Sequence, residues 1–158
     1  MTPLYQAMLS QAVMGQMPSM RVVSQFSAAE IRQTLADLVA ADRIDLANAL
    51  ADAGQSLYPE SEDILAMSAL LAEIQQDWTN AEELLRKLVQ VQGDATTPFT
   101  WRHLIRVLRC QCEPGKAMQA AQQALAQHPH DELLHEELVS LQALVSDQIP
   151  MEASGQMH

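Results

Sequence analysis

Three alanines set the frame for this chain. Ala47 and Ala81 lie 34 residues apart, and Ala81 and Ala117 lie 36 apart. Each opens a helical pattern, and the last of these is the most legible. In Glu113-Pro114-Gly115-Lys116-Ala117 through Pro129, the residues Ala117, Ala121, Ala124 and Leu125 share one face. Small side chains on such a face let a neighbouring helix approach closely. His128-Pro129 then stops the helix, because proline lacks an amide donor and restricts the residue before it. A period near 34 residues built of paired helices means a chain made of stacked hairpins rather than one irregular core.

The helices between these marks follow from start and stop signals. Ser27-Ala28-Ala29-Glu30 has capping-box spacing and precedes an apolar stripe on Ile31, Leu35, Leu38 and Val39. The chain turns at Ala41-Asp42-Arg43, and Leu46, Ala47, Leu50, Ala51 and Ala53 form the inward face of the next helix. Ser61 caps a third, with Glu62 and Asp63 placed favourably in its first turn. Asp77-Trp78 reads as a turn, and Thr79-Asn80-Ala81-Glu82 as a second capping box. The loop from Gly93 to Thr97 leads to Pro98 as first residue of a helix reaching Cys112. Asp131 and Glu132 open a final helix with Leu134, Leu138, Leu141 and Val145 inward. Residues 150–158 lack periodicity and are expected to be disordered. Residues 1–20 allow two readings, a frayed tail or a short amphipathic helix on Tyr5, Met8, Leu9, Ala12 and Val13. Such a helix would dock on this chain, on a second copy or on a partner.

Composition narrows the job. At 158 residues the chain suits one domain, with 48% hydrophobic but only 4% aromatic residues. Twenty acidic against nine basic residues give a net charge of −11, which repels nucleic acid and anionic membranes. No run approaches a membrane span, and the N-terminus lacks signal-peptide character, so a cytoplasmic location is expected. Cys110 and Cys112, two apart on a predicted helix, face different directions and offer neither a disulfide staple nor a complete zinc site.

The spacing and the residues resemble the tetratricopeptide repeat (TPR) family. Repeat one matches with Ile31, Ala47, Gly54 and Pro59, repeat two with Leu65, Ala69 and Ala81, and repeat three with Trp101, Leu104, Ala117, Ala124 and Pro129. Leu35 and Ile105 depart from the family's small-residue position, and Leu38, Ala72 and Leu108 stand where it prefers an aromatic. The resemblance implies an all-α, right-handed solenoid of about three hairpins, at 28–60, 62–94 and 98–130, capped by a helix at 131–148. The domain would span 27–149, with 1–26 as tail or short helix.

It also implies a concave surface lined by the first helix of each repeat. The family positions map to Ala29, Arg32, Ala36, Val39 and Ala40, then Asp63, Ala66, Leu70, Glu73 and Ile74, then Phe99, Arg102, Arg106, Arg109 and Cys110. From these the expected partner groove comprises Arg32, Ala36, Ala66, Leu70, Ile74, Phe99, Arg102, Arg106 and Arg109. Arg102, Arg106 and Arg109 stand at i, i+4 and i+7, so three of the nine basic residues share one face. Two readings of that stripe stand side by side. It grips acidic or backbone groups of a peptide, with Phe99, Leu70 and Ile74 adding apolar contact, or its arginines pair with acids of a neighbouring helix or point to water. The clamp that some TPR domains use on chaperone C-termini does not carry over: only Arg32 matches, while Ala36, Met67, Phe99 and His103 fill its other positions.

The expected function is therefore non-enzymatic binding of another protein through an exposed apolar or acidic segment, with no cofactor or metal. In layout the chain looks like the small cytoplasmic chaperones of bacterial type III secretion systems. A self-associating scaffold, dimerising through residues 1–20, is one alternative. Another is a metal-dependent regulator or enzyme on His128, His130, Asp131, Glu132 and His135, whose residue types can ligate zinc.

Overall fold

The computed structural model describes residues 1–148; the expected disorder of 150–158 falls outside them. Among the described residues the regular elements are helices: α1 (Pro3–Val13), α2 (Met20–Val23), α3 (Ala28–Ala40), α4 (Ile44–Leu57), α5 (Glu62–Ile74), α6 (Trp78–Gln92), α7 (Pro98–Cys110), α8 (Pro114–Gln127) and α9 (Glu132–Gln148), with a 3-10 turn at Gly93–Ala95. None of them is long and apolar enough to cross a membrane. They group into two compact units, one covering Met1–Val91 and one beginning at Gln92.

The repeat is written into the backbone. Each first helix ends in a residue with left-handed φ: Asp42 (57°), Gln76 (58°) and Cys112 (58°), with the same 34- and 36-residue spacings as the alanines. In each, the amide of the following residue donates back to a carbonyl five positions earlier: Arg43 to Leu38 at 2.8 Å, Asp77 to Ala72 at 2.9 Å and Glu113 to Leu108 at 3.0 Å. This closure satisfies carbonyls that a helix end would otherwise leave orphaned. Three non-glycine residues accept the left-handed conformation for it, which gives the turn geometry precedence over local preference.

Start signals show where sequence reading held and where it slipped. The capping box at Ser27 forms in both directions, with Glu30 accepting from the Ser27 amide at 2.8 Å. Ser61 and Thr97 accept from the amides of Ile64 and Thr100, and Pro98 takes the first helical position. The box assigned to Thr79 does not form. Helix α6 already begins at Trp78, and Asp77 Oδ1 accepts from the Asn80 amide at 3.3 Å. Asp77 directly follows the left-handed Gln76, so the closure of α5 delivers an aspartate to the cap position before Thr79 is reached. The expected helix to Cys112 likewise stops at Cys110, because Cys112 is the left-handed residue of its turn.

In the N-terminal unit, α3, α4 and α5 enclose Ile31, Leu35, Leu38, Leu46, Ala47, Leu50 and Ile64. Helix α1 packs on α3 and adds Leu4, Tyr5 and Met8 to this core, while α2 packs on α4 and adds Val23. Thr2 caps α1 and its hydroxyl also bonds that of the fully buried Thr34. Burying such side chains contributes about 1.5–3 kcal/mol each, enough to offset the nucleation cost of a short helix. In the C-terminal unit, α7 and α9 both pack along α8. Trp101, Leu104, Ile105 and Leu108 of α7, the alanines 117, 120, 121 and 124 of α8, and Leu134 and Leu141 of α9 are buried.

Two side-chain bonds recur between repeats one and three. Tyr58 and His128, each the C-cap residue of a second helix, reach the carbonyl that precedes their own hairpin's first cap. Tyr58 Oη donates to Phe26 O at 2.7 Å, and His128 Nε2 bonds Thr96 O at 2.6 Å. Both bonds span 32 residues, so each ties the last turn of a hairpin to its entrance.

Candidate functional site

Burying one face of α7 commits the opposite one. With Trp101, Leu104, Ile105 and Leu108 turned inward, the 3.6-residue period sets Phe99, Arg102, His103, Arg106 and Arg109 outward. Across from them on α9, the inward stripe on Leu134 and Leu141 leaves Leu133, Glu136, Glu137 and Ser140 facing α7. These nine residues line a cleft of about 550 Å³. Phe99 is 68% exposed and Leu133 48%, so both apolar rims stand open to solvent. The Phe99 ring lies 5.9 Å from the His103 ring, tilted by 45°.

The charges in the cleft are incompletely answered. Arg109 Nη2 stands 3.0 Å from Glu137 Oε2, both side chains about one-third exposed. Glu137 Oε2 and the Nε atoms of Arg102 and Arg109 are screened from solvent yet have no hydrogen-bond partner among the described residues. The ion pair is therefore close but poorly directed, and a partly exposed pair of this kind contributes about 0.2–1 kcal/mol. A screened donor without an acceptor costs about 1–3 kcal/mol. Arg106 is the most exposed of the three.

The remaining expected groove residues lie on the N-terminal unit, on α3 and α5. Arg32 approaches Asp63 at 3.9 Å, with both side chains about half exposed. Ala36 and Ala66 are half-buried, while Leu70 is 38% and Ile74 50% exposed. The structure thus brings Phe99, Arg102, Arg106 and Arg109 into one cleft and sets Arg32, Ala36, Ala66, Leu70 and Ile74 on the other unit. Sequence reading missed the α9 wall. Leu133, Glu136, Glu137 and Ser140 carry their own i, i+3, i+4, i+7 signature, which marks one face of a helix but not what that face meets.

A second concavity, of about 560 Å³, lies where the end of α1 meets the α3–α4 turn, lined by Ala12, Gly15, Gln16, Met17 and residues 42–46. Val13, Met14, Met17 and Met20 are exposed nearby.

Two of the three clustered histidines are tied to backbone carbonyls. Besides His128 on Thr96, His135 Nε2 bonds Pro129 O at 2.7 Å. A carbonyl only accepts, so each Nε2 carries the proton and donates. No group of three or more metal-ligating side chains occurs among the described residues. Both cysteines are exposed thiols, but only Cys110 is helical, against the expectation of two thiols on one helix.

No family model matches the sequence, and no curated protein matches it. Among solved structures, the chain is similar to YrrB, a TPR protein with an unusual peptide-binding site. The TM-score is 0.59 at 16% identity, over 81% of this chain and 72% of that one. The fold is thus the all-α helical-hairpin repeat of TPR proteins, in agreement with the 34-residue period and the resemblance of the sequence.

Proposed function

We propose that this TPR-fold chain is a non-catalytic protein–protein interaction module that takes an extended or helical segment of a partner in the cleft between α7 and α9. The observation that carries the reading is that cleft, with Phe99 and Leu133 open at its rims and Arg102, Arg106 and Arg109 along one wall. Two open apolar rims fit alternate side chains of a bound segment, and arginine forks suit its carboxylates. The likeness to YrrB, which has a peptide-binding site, supports the same use of this fold. Arg32, Ala36, Ala66, Leu70 and Ile74, on the N-terminal unit, make up a separate apolar and basic surface of that unit.

The finer form of the proposal is a cytoplasmic chaperone or assembly adaptor, of the kind that holds a type III secretion subunit before export. Its support is local: Phe99 and Leu133, 68% and 48% exposed, stand together at the rims of one cleft, as an apolar client segment would require. Arg102→Ala with Arg106→Ala is expected to lower partner recovery in affinity capture at least several-fold while leaving the far-UV circular dichroism unchanged. Undiminished recovery would remove the arginine wall from the site.

Self-association is a second reading, favoured by the exposure of Val13 (88%) and Met14 (74%) beside the second concavity. Since α1 is part of the core, the test is point substitution rather than truncation. Val13→Asp with Met14→Asp should dissociate a dimer in sedimentation velocity, and an unchanged sedimentation coefficient rules out this contact.

A further inference from the structure

Resting on the proposed use of the α7–α9 cleft, we infer that its partner segment is anchored by a carboxylate, and that Glu137 is an internal stand-in which the partner's carboxylate displaces from Arg109. Glu137 sits against Arg109 at 3.0 Å, but its Oε2 and the Arg109 Nε both lack a hydrogen bond among the described residues. A carboxylate fixed to α9 reaches the guanidinium without matching its fork. Arg102 presents a second screened and unbonded Nε on the same wall, one helical turn from Arg106. A carboxylate arriving on a separate chain is not tethered to α9, so once the part-exposed arginine side chains turn to uncover these donors it can align with them in the paired geometry that makes arginine–carboxylate contacts strong. Phe99 and Leu133 at the rims add the requirement for apolar neighbours in the segment. The partner chemistry is thus an acidic residue flanked by apolar ones.

The experiment compares two fluorescein-labelled twelve-residue peptides, one alternating leucine and glutamate and one alternating leucine and glutamine, on the full chain. Anisotropy gives Kd, and amide shifts of Phe99 and Leu133 report whether the cleft is the site. The glutamate peptide is expected to bind more tightly than its glutamine counterpart, and more weakly in high salt. Glu137→Gln removes the stand-in and should tighten the glutamate peptide about two- to five-fold, the worth of the pair it breaks. Arg109→Ala should weaken it about tenfold or more. Thermal melts of both variants, and the exposed Arg106→Ala as an independent loss-of-affinity variant, separate a binding effect from misfolding.

Equal affinity for the two peptides, with shifts at Phe99 and Leu133, overturns the carboxylate anchor yet leaves the cleft a peptide site. Weaker binding in Glu137→Gln makes Glu137 a contact rather than a stand-in, and overturns the inference too. Shifts elsewhere, or no binding of either peptide, removes both the inference and the cleft. Self-association that Arg106→Ala abolishes reassigns the wall to a second copy of the chain.

Discussion

Gly54 tests the packing of the N-terminal unit most sharply. It is buried inside α4, where a Cβ would meet Ile31 Cγ2 at 3.2 Å and two Ile64 carbons at 3.4 Å. Optimal carbon separations are about 3.5–4.0 Å, so the Ile31 contact is the tight one. Ile31 and Ile64 are fully buried and stiff at χ1, which leaves a backbone shift of a few tenths of an ångström as the way to relieve it. Against that stands the helix propensity of alanine, about 0.8–1.0 kcal/mol better than glycine. For Gly54→Ala the two terms nearly cancel, and stability should stay within about 0.5 kcal/mol. Gly54→Leu brings three more carbons into space already filled, and overpacking of this kind costs about 1–3 kcal/mol or more. With a urea m-value of about 1–3 kcal/mol/M, the midpoint should fall by roughly 1 M, read by far-UV circular dichroism. The corresponding residues of repeats two and three are Leu88 and Ala124, both buried. The repeat pattern therefore does not demand glycine; Ile31 and Ile64 do. A Gly54→Leu chain as stable as the parent would refute this account of the helix crossing.

Further outcomes follow from single contacts. Tyr58→Phe removes the bond to Phe26 O and should cost about 1 kcal/mol in chemical denaturation, with no loss of helix content. Ser27→Ala removes the side-chain half of the α3 capping box, the hydroxyl that accepts from the Glu30 amide, and should cost about 0.5–2 kcal/mol, while Thr79→Ala, inside α6 rather than capping it, should cost no more than about 0.5 kcal/mol. Thr34→Val takes away the hydroxyl that holds Thr2, so amide exchange in α1 should speed up several-fold while α4 keeps its protection. His128→Ala removes the bond to Thr96 O and should raise proteolytic cleavage in the Gly93–Thr97 loop, which the His128 bond and the weaker 3.4 Å contact from Gln127 to Gly93 O tie to the end of α8.

Much of the architecture was legible because it is carried by local chemistry repeated at a fixed interval. Ser27, Ser61 and Thr97 cap helices wherever they precede an apolar period. The alanines of α8 allow close helix approach whatever surrounds them. Thr79 misled because two overlapping cap signals competed, and the left-handed Gln76 decided for Asp77. Nothing local in the sequence announces a left-handed glutamine or cysteine; the hairpin imposes it.

What only the tertiary structure decided concerns pairs distant in sequence. The amphipathic pattern of α1 is compatible with several partners, and the bond from Thr2 to Thr34 with the burial of Leu4, Tyr5 and Met8 selects α3 of this chain. Tyr58 and His128 share no side-chain chemistry, yet both reach a carbonyl 32 residues back. The arginine stripe was readable on α7 alone, because i, i+4 and i+7 lie on one face of any helix. Its opposing wall was not, since the approach of Glu137 to Arg109 depends on how α7 and α9 each settle on α8. Periodicity reports which way a side chain points, and only packing determines what it meets there.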